Sequence, residues 1–194
     1  MARPLPVPGL DPDRRLGVNA RRILAVRIGE VYSYDGLVLD PANVTELHDM
    51  RIACKRLRYL LEIFGCAFKA DLEPLLEEVK GLQDLLGEIH DRDVQVPMLE
   101  EHLAWLADQE ARAARRLVSA GARRARRAQD PETEYRRFQR SFAASRRSDE
   151  RPGIHALIAR RRSERVDLYE RFTVEWRRLR AERFRARLEA ALLR

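Results

Sequence analysis

Residues 47–58 read LHDMRIACKRLR, and their spacing decides the fold class. Wound at about 100° per residue with His48 at zero, Arg51, Lys55 and Arg58 fall between about −80° and −20°. Met50, Cys54 and Leu57, with Leu61 and Phe64 beyond them, gather on the other side, between about 160° and 240°. The stretch is therefore an amphipathic helix with a core face and a basic face led by a histidine. An ordinary solvated face mixes signs, with Glu placed to pair with Lys or Arg one turn on. Here His48, Arg51, Lys55 and Arg58 form a row of one sign, flanked by Asp49 and Glu62. Like charges a turn apart repel by a few tenths of a kcal/mol, roughly, which a row of phosphates between them would relieve.

The arrangement recurs in KGLQDLLGEIH, residues 80–90. With Lys80 at zero, Gln83, Gly87 and His90 lie within about 80°, while Leu82, Leu85, Leu86 and Ile89 take the other side. Gly87 has no side chain and would let a long ligand approach the backbone. ELHDMR at 46–51 and EIHDRD at 88–93 echo each other and put His48 and His90 in like surroundings.

Outward from these stretches, 3.6-residue periodicity dominates and no segment alternates long enough to read as a strand. The spacing predicts a helix capped by Asp11 or Asp13 and running to about Tyr32, then a loop over SYDGLVLDPAN, and a second helix from about Asn43 to Gly65. A third starts near Asp71 and runs towards His90, either continuing past Pro97 or restarting at Asp91 or Asp93. Another covers about Glu100 to Gln129. Asp130-Pro131 signals a restart, as an N-cap followed by proline at the first helical position. RRSDERPG at 146–153 breaks the chain again before a helical region over 154–193. Five to seven helices make an all-α bundle. The whole chain reads as one helical domain, with a flexible Pro-rich tail at 1–10 and sub-bundles at about 11–107 and 108–194.

Charge is 36% of the composition and apolar residues 45%, enough for a core beneath a dense charged surface. The net charge is +7 and only three of the cations are lysine. Arginine's planar fork matches phosphate oxygens two at a time, so the bias favours phosphate partners. Residues 1–111 hold 13 Lys and Arg against 20 Asp and Glu, and residues 112–194 hold 25 against 11. That asymmetry suits either a polyanion partner or pairing of the two halves. Cys54 and Cys66 lie ~18 Å apart along one helix and cannot pair with each other, which fits a reducing compartment. The N-terminal residues lack the apolar run of a signal peptide and no stretch approaches a membrane span, so a cytoplasmic protein with no membrane partner is expected.

A second basic stripe lies in ARAARRLVSAGARRARRAQ, residues 111–129. Arg112, Arg116, Arg123 and Arg127 fall within about 60° around a helix and span ~22 Å. His48-Asp49 and His90-Asp91 are the dipeptides an HD-type metal phosphohydrolase would use. A cation there would sit among Arg51, Lys55 and Lys80 with no source of further ligands, so neither a metal nor another cofactor is expected. No phosphate loop, dinucleotide fingerprint, nucleophile elbow or CxxC is present, and no carboxylate cluster or placed nucleophile supports polyphosphate hydrolysis. Non-catalytic binding is the expected activity. Nucleic acid, held through its backbone as a non-specific polyanion, is the alternative. Single-strand binding by stacking is disfavoured because Phe64, Phe68, Trp105, Phe172 and Trp176 fall at core-like positions. A protein-interaction bundle whose acidic and basic halves pair with each other is a third reading.

LHDMRIACKRLRYLLEIFG followed by KGLQDLLGEIHDRDV resembles the CHAD family, the conserved histidine α-helical domain, over residues 43–96. GIHALIARRRSERVDLYERFTVEWRRL at 153–179 resembles that family's C-terminal helices more weakly. The resemblance implies two packed antiparallel bundles with internal pseudo-symmetry, whose basic residues line a central groove or pore that binds inorganic polyphosphate, at polyphosphate granules. It implies His48, Arg51, Lys55, Arg58, Lys80 and His90 as binding residues, with Arg56 and Arg92 as helpers. The second half holds no full copy of the ladder, its nearest counterpart being His155, Arg162 and Arg165.

Overall fold

Apolar residues three and four apart along 47–61 and 75–89 make two helical stripes, and each is buried along its length. Leu47, Met50, Cys54, Leu57 and Leu61 form one, and Leu75, Val79, Leu82, Leu86 and Ile89 the other. In the computed structural model, which describes residues 3–145 and 150–193, these stripes lie on α2 (Val44–Phe64) and α3 (Glu73–Ala125). The other helices are α1 (Leu16–Tyr32), α4 (Pro131–Ser145), α5 (Arg151–Ala181) and α6 (Phe184–Ala191). Two short 3-10 turns, Leu37–Leu39 and Gly65–Ala67, flank α2, and no strand occurs among the described residues. The chain is all-α.

It forms two compact units, Met1–Asp93 with Ser163–Arg194, and Val94–Arg162. A division near residue 107 is therefore not the one observed. The reason is the second half of α5: Leu168, Phe172, Trp176 and Leu179, with Phe184 and Leu188 of α6, join the same core as α1, α2 and the start of α3. In this first unit Trp176 and Phe172 are fully buried. Trp176 packs 5.2 Å from the Tyr32 ring, and its Nε1–H donates to Asp35 Oδ1 at 2.9 Å. The Tyr169 hydroxyl donates to the Val38 carbonyl at 3.0 Å, and Arg187 holds both oxygens of Glu78 at 3.0 and 2.9 Å.

The second unit takes residues 94–125 of α3, α4, and residues 151–162 of α5. Among its described residues Ile158 is the one buried hydrophobic side chain. Trp105, which periodicity places among core positions, is 53% exposed. Leu99, Leu103 and Leu106 are the half-buried residues of this stretch, and Trp105 stands about 100° round the helix from Leu106.

Several helix ends differ from expectation. α1 starts at Leu16 behind Arg15, with no side-chain cap. Asp11 instead closes a turn, accepting from the Asp13 N–H at 3.0 Å while Asn19 binds its backbone at 3.2 and 2.7 Å. α3 runs unbroken through Pro97; proline's missing N–H leaves the Asp93 carbonyl, at the edge of the first unit, without its helical donor. Asp130 caps α4, accepting from Glu132 N–H at 3.1 Å and from the Thr133 hydroxyl at 2.6 Å, and the Thr133 bonds hold its carboxyl below the usual range. Of the break read at 146–153, residues 146–149 lie outside the described residues. The last helical region is interrupted at Arg183, whose φ of 52° places it in the left-handed region.

Trp176→Ala removes the largest side chain of the first unit's core and leaves Asp35 with Arg180 at 3.2 Å as its partner, so it is expected to cost about 3–5 kcal/mol. Trp176→Phe, which keeps most of the volume, costs less. Urea unfolding followed by circular dichroism measures both.

Candidate phosphate-binding seam

α2 and α3 pack through their leucine stripes, and the polar residues beside those stripes come together along the seam. His48 Nδ1 lies 3.2 Å from His90 Nδ1, with ring centroids 4.4 Å apart. A Cβ at Gly87 would sit 3.6 Å from Arg51 Nε, an ordinary van der Waals contact, so the Arg51 side chain lies directly against position 87. His48 meets His90 and Arg51 meets Gly87, each step up α2 matched by an equal step down α3. The helices are antiparallel, and the same register sets Lys55 opposite Gln83 and Arg58 opposite Lys80.

The electrostatics divide the sequence-predicted residues into two groups. Among the described residues, Arg51 and Lys55 have no carboxylate partner. Arg58 pairs with Glu62 at 3.5 Å and Lys80 with Glu77 at 3.2 Å, each within its own helix. Such partly exposed pairs contribute ~0–1 kcal/mol, so a phosphate can displace the acid at little cost. Lys55 and Arg58 also lie over the Tyr59 ring, at 5.8 and 4.6 Å from its centroid. Tyr59 is not among the residues singled out from the sequence.

Other predicted residues are engaged elsewhere. Arg56, about 80° round α2 from His48, turns to α1 and lies 3.4 Å from Glu30, a nearly buried carboxylate that also binds Arg27 and the Leu5 N–H. Arg27 in turn donates to the Leu5 carbonyl at 3.0 Å, so this cluster attaches the N-terminal segment to α1. Arg92 bridges Glu88 at 3.6 Å and Glu164 at 3.3 Å. Arg165 binds Asp93 at 2.7 Å and the Pro41 carbonyl at 2.8 Å. In the second unit Arg162 pairs with Glu100 at 2.5 Å and Arg112 with Asp108 at 2.7 Å. Among the described residues Arg116 and Arg123 have no acid partner, and Arg127 falls beyond the end of α3 rather than on its face.

Two imidazoles whose Nδ1 atoms lie within hydrogen-bond distance carry one proton between them, one ring donating and the other accepting. The pKa of His90 is lowered, first by burial and then by the charges of His48 and Arg51, against the opposing pull of Asp91 and Asp93. No group of three His, Cys, Asp or Glu among the described residues is placed to hold a metal ion.

Among known families, the model of the CHAD domain matches residues 10–100. Residues 10–100 are a CHAD domain. The matched span takes in α1, α2, both histidines and the start of α3, and the CHAD match ends before the likeness read at 153–179. No curated protein and no solved structure matches the chain. No helix among the described residues is long and apolar enough to cross a membrane.

Because the folded pKa of His90 is depressed, the stability this histidine contributes is present above its unfolded value of about 6.5 and is lost as pH falls below it. His90→Gln is expected to flatten that part of the acid limb in a stability–pH profile measured without ligand.

Proposed function

We propose that this protein binds inorganic polyphosphate, without hydrolysing it, along the α2/α3 seam of its CHAD domain. The contact between His48 and His90 carries the reading, because it brings the same-sign row of α2 alongside His90 and Lys80 of α3. Down that register lie His48 and His90, then Arg51, then Lys55, then Arg58 with Lys80, over ~15 Å. A linear polyanion with a charge at every link fits a row of donors, where a single small anion would use one end of it. Arg51 and Lys55 meet the ligand without first losing a partner, and Arg58 and Lys80 exchange an exposed carboxylate for phosphate. Arg56, Arg92 and Arg165 act behind the row, holding α1, α5 and the Pro41 loop around it. On this reading the protein works in the cytoplasm, at polyphosphate granules.

Direct titration with long-chain polyphosphate tests the assignment. Arg51→Glu and Lys55→Glu are each expected to weaken binding about tenfold or more, since a charge-assisted hydrogen bond becomes a repulsion. Lys69→Glu, an equal change of net charge on an exposed residue before α3, is the control. Equal losses in all three variants would reduce the site to bulk charge.

Proton linkage supplies an independent test. In the neutral pair the accepting ring offers Nε2–H to a phosphate and the donating ring offers a lone pair. Adding one proton to that lone pair leaves the bond between the rings in place and makes both Nε2 atoms donors. Binding should therefore take up about one proton per histidine pair, and affinity should rise as pH falls below about 6.5. Calorimetry in buffers of different ionisation enthalpy counts the protons, and an uptake of zero would remove the histidines from the site.

A further inference from the structure

The charge of the molecule does not lie where the seam is. The first unit holds 22 Lys and Arg against 22 Asp and Glu, and Val94–Arg162 holds 16 against 9, so the whole excess of +7 belongs to the second unit. That unit also carries the aromatic residue that periodicity misplaced. Trp105 is 53% exposed and stacks on His102, with ring centroids 5.5 Å apart and an interplanar angle of 18°. Arg112, Arg116 and Arg123 follow on the same face of α3, within about 40° of Trp105 and over ~27 Å. At the far end Arg123, Arg124 and Arg127 line one hollow of about 430 Å³ with Ala120, Ala128 and Glu134. Glu134 is already shared with Arg137 at 3.7 Å. Alanines at 113, 114, 120 and 122 keep the rest of this segment low.

We infer that this face of α3 binds single-stranded nucleic acid, at a site separate from the polyphosphate seam. Stacking needs a flat ring open to solvent with cations in line beyond it, and that is the combination here. Bare polyphosphate has no base to set on Trp105 and gains only from the arginines. A duplex keeps its bases stacked on one another and likewise leaves the ring unused. A protein partner would be expected to meet an apolar patch with its charges at the rim, whereas here one aromatic pair leads into arginines of which Arg116, Arg123, Arg124 and Arg127 lack an acid partner. Phe64, Phe68, Phe172 and Trp176 do lie in or against the core, which leaves Trp105 as the ring of that set open to a base.

The two tryptophans make the test direct. Trp176 is fully buried, so quenching by an added base reports Trp105. Full-length protein is titrated with 20-nucleotide oligo(dT) and oligo(U), a 20-base-pair duplex and long-chain polyphosphate at matched salt. The oligonucleotides should quench tryptophan fluorescence and bind more tightly than the duplex, and polyphosphate should leave the emission unchanged. Trp105→Ala should weaken oligonucleotide binding at least about fivefold, with Trp105→Phe recovering most of it and polyphosphate affinity unaltered in both. Arg123→Glu combined with Arg127→Glu should lower the salt slope by about two phosphate contacts. Loss of polyphosphate binding in Arg51→Glu with oligonucleotide binding intact would separate the two sites. The inference fails if Trp105→Ala leaves oligonucleotide affinity unchanged, or if duplex binds as tightly as single strand. It also fails if Trp105 is already covered by concentration-dependent self-association of the free protein.

Discussion

Everything at the candidate site depends on the antiparallel packing of α2 against the first turns of α3. Two apolar stripes, six buried residues on α2 and five on α3, fix how the helices are rotated and how they slide. Once that register is set, His48 faces His90 and Arg51 lies against Gly87. The cation row of α2 is by itself a mildly unfavourable helix surface, a cost that a bound polyanion would relieve. The remaining helices serve this pair: Trp176 and Phe172 of α5 fill the space behind it, and Arg92 and Arg165 hold its far end through Glu164, Asp93 and the Pro41 carbonyl.

The helices and the basic faces of α2 and α3 were legible because a 3.6-residue period is a local property. The His48–His90 contact was not, since it depends on how the turn from Phe64 to Glu73 sets the return of the chain, although the repeated Glu-x-His-Asp hinted at it. Arg56 and Arg58 show the limit more finely. They are two residues apart and chemically identical, yet about 200° of rotation sends one towards a nearly buried Glu30 and leaves the other beside the seam. Only the position of α1 separates them. Pro97 was an ambiguous signal for a related reason: proline removes one hydrogen bond, and whether a helix survives depends on what its neighbours supply. Trp105 misled because a periodic pattern says which residues share a face and says nothing of whether that face is covered.

The distribution of charge changes the meaning of the basic composition. A pI near 10.0 invites the view of one diffuse polycation, but the CHAD-bearing unit is electrically balanced, so any preference it has for a polyanion must come from arrangement rather than net charge. The other unit carries the net field and can attract polyanions from a distance.

The contrast in burial between the units has an energetic consequence. Opening free energy within a protein follows the apolar surface a region hides, and the second unit hides little beyond Ile158. Its amides are therefore the ones to exchange with solvent through local opening, while those of α2 and α5 near Trp176 exchange through global unfolding. The Asp93 carbonyl left without a donor by Pro97 sits where such an opening would stop. A ligand that binds only the closed form of the second unit would raise its protection by mass action, so that in this half of the molecule occupancy and order become one quantity.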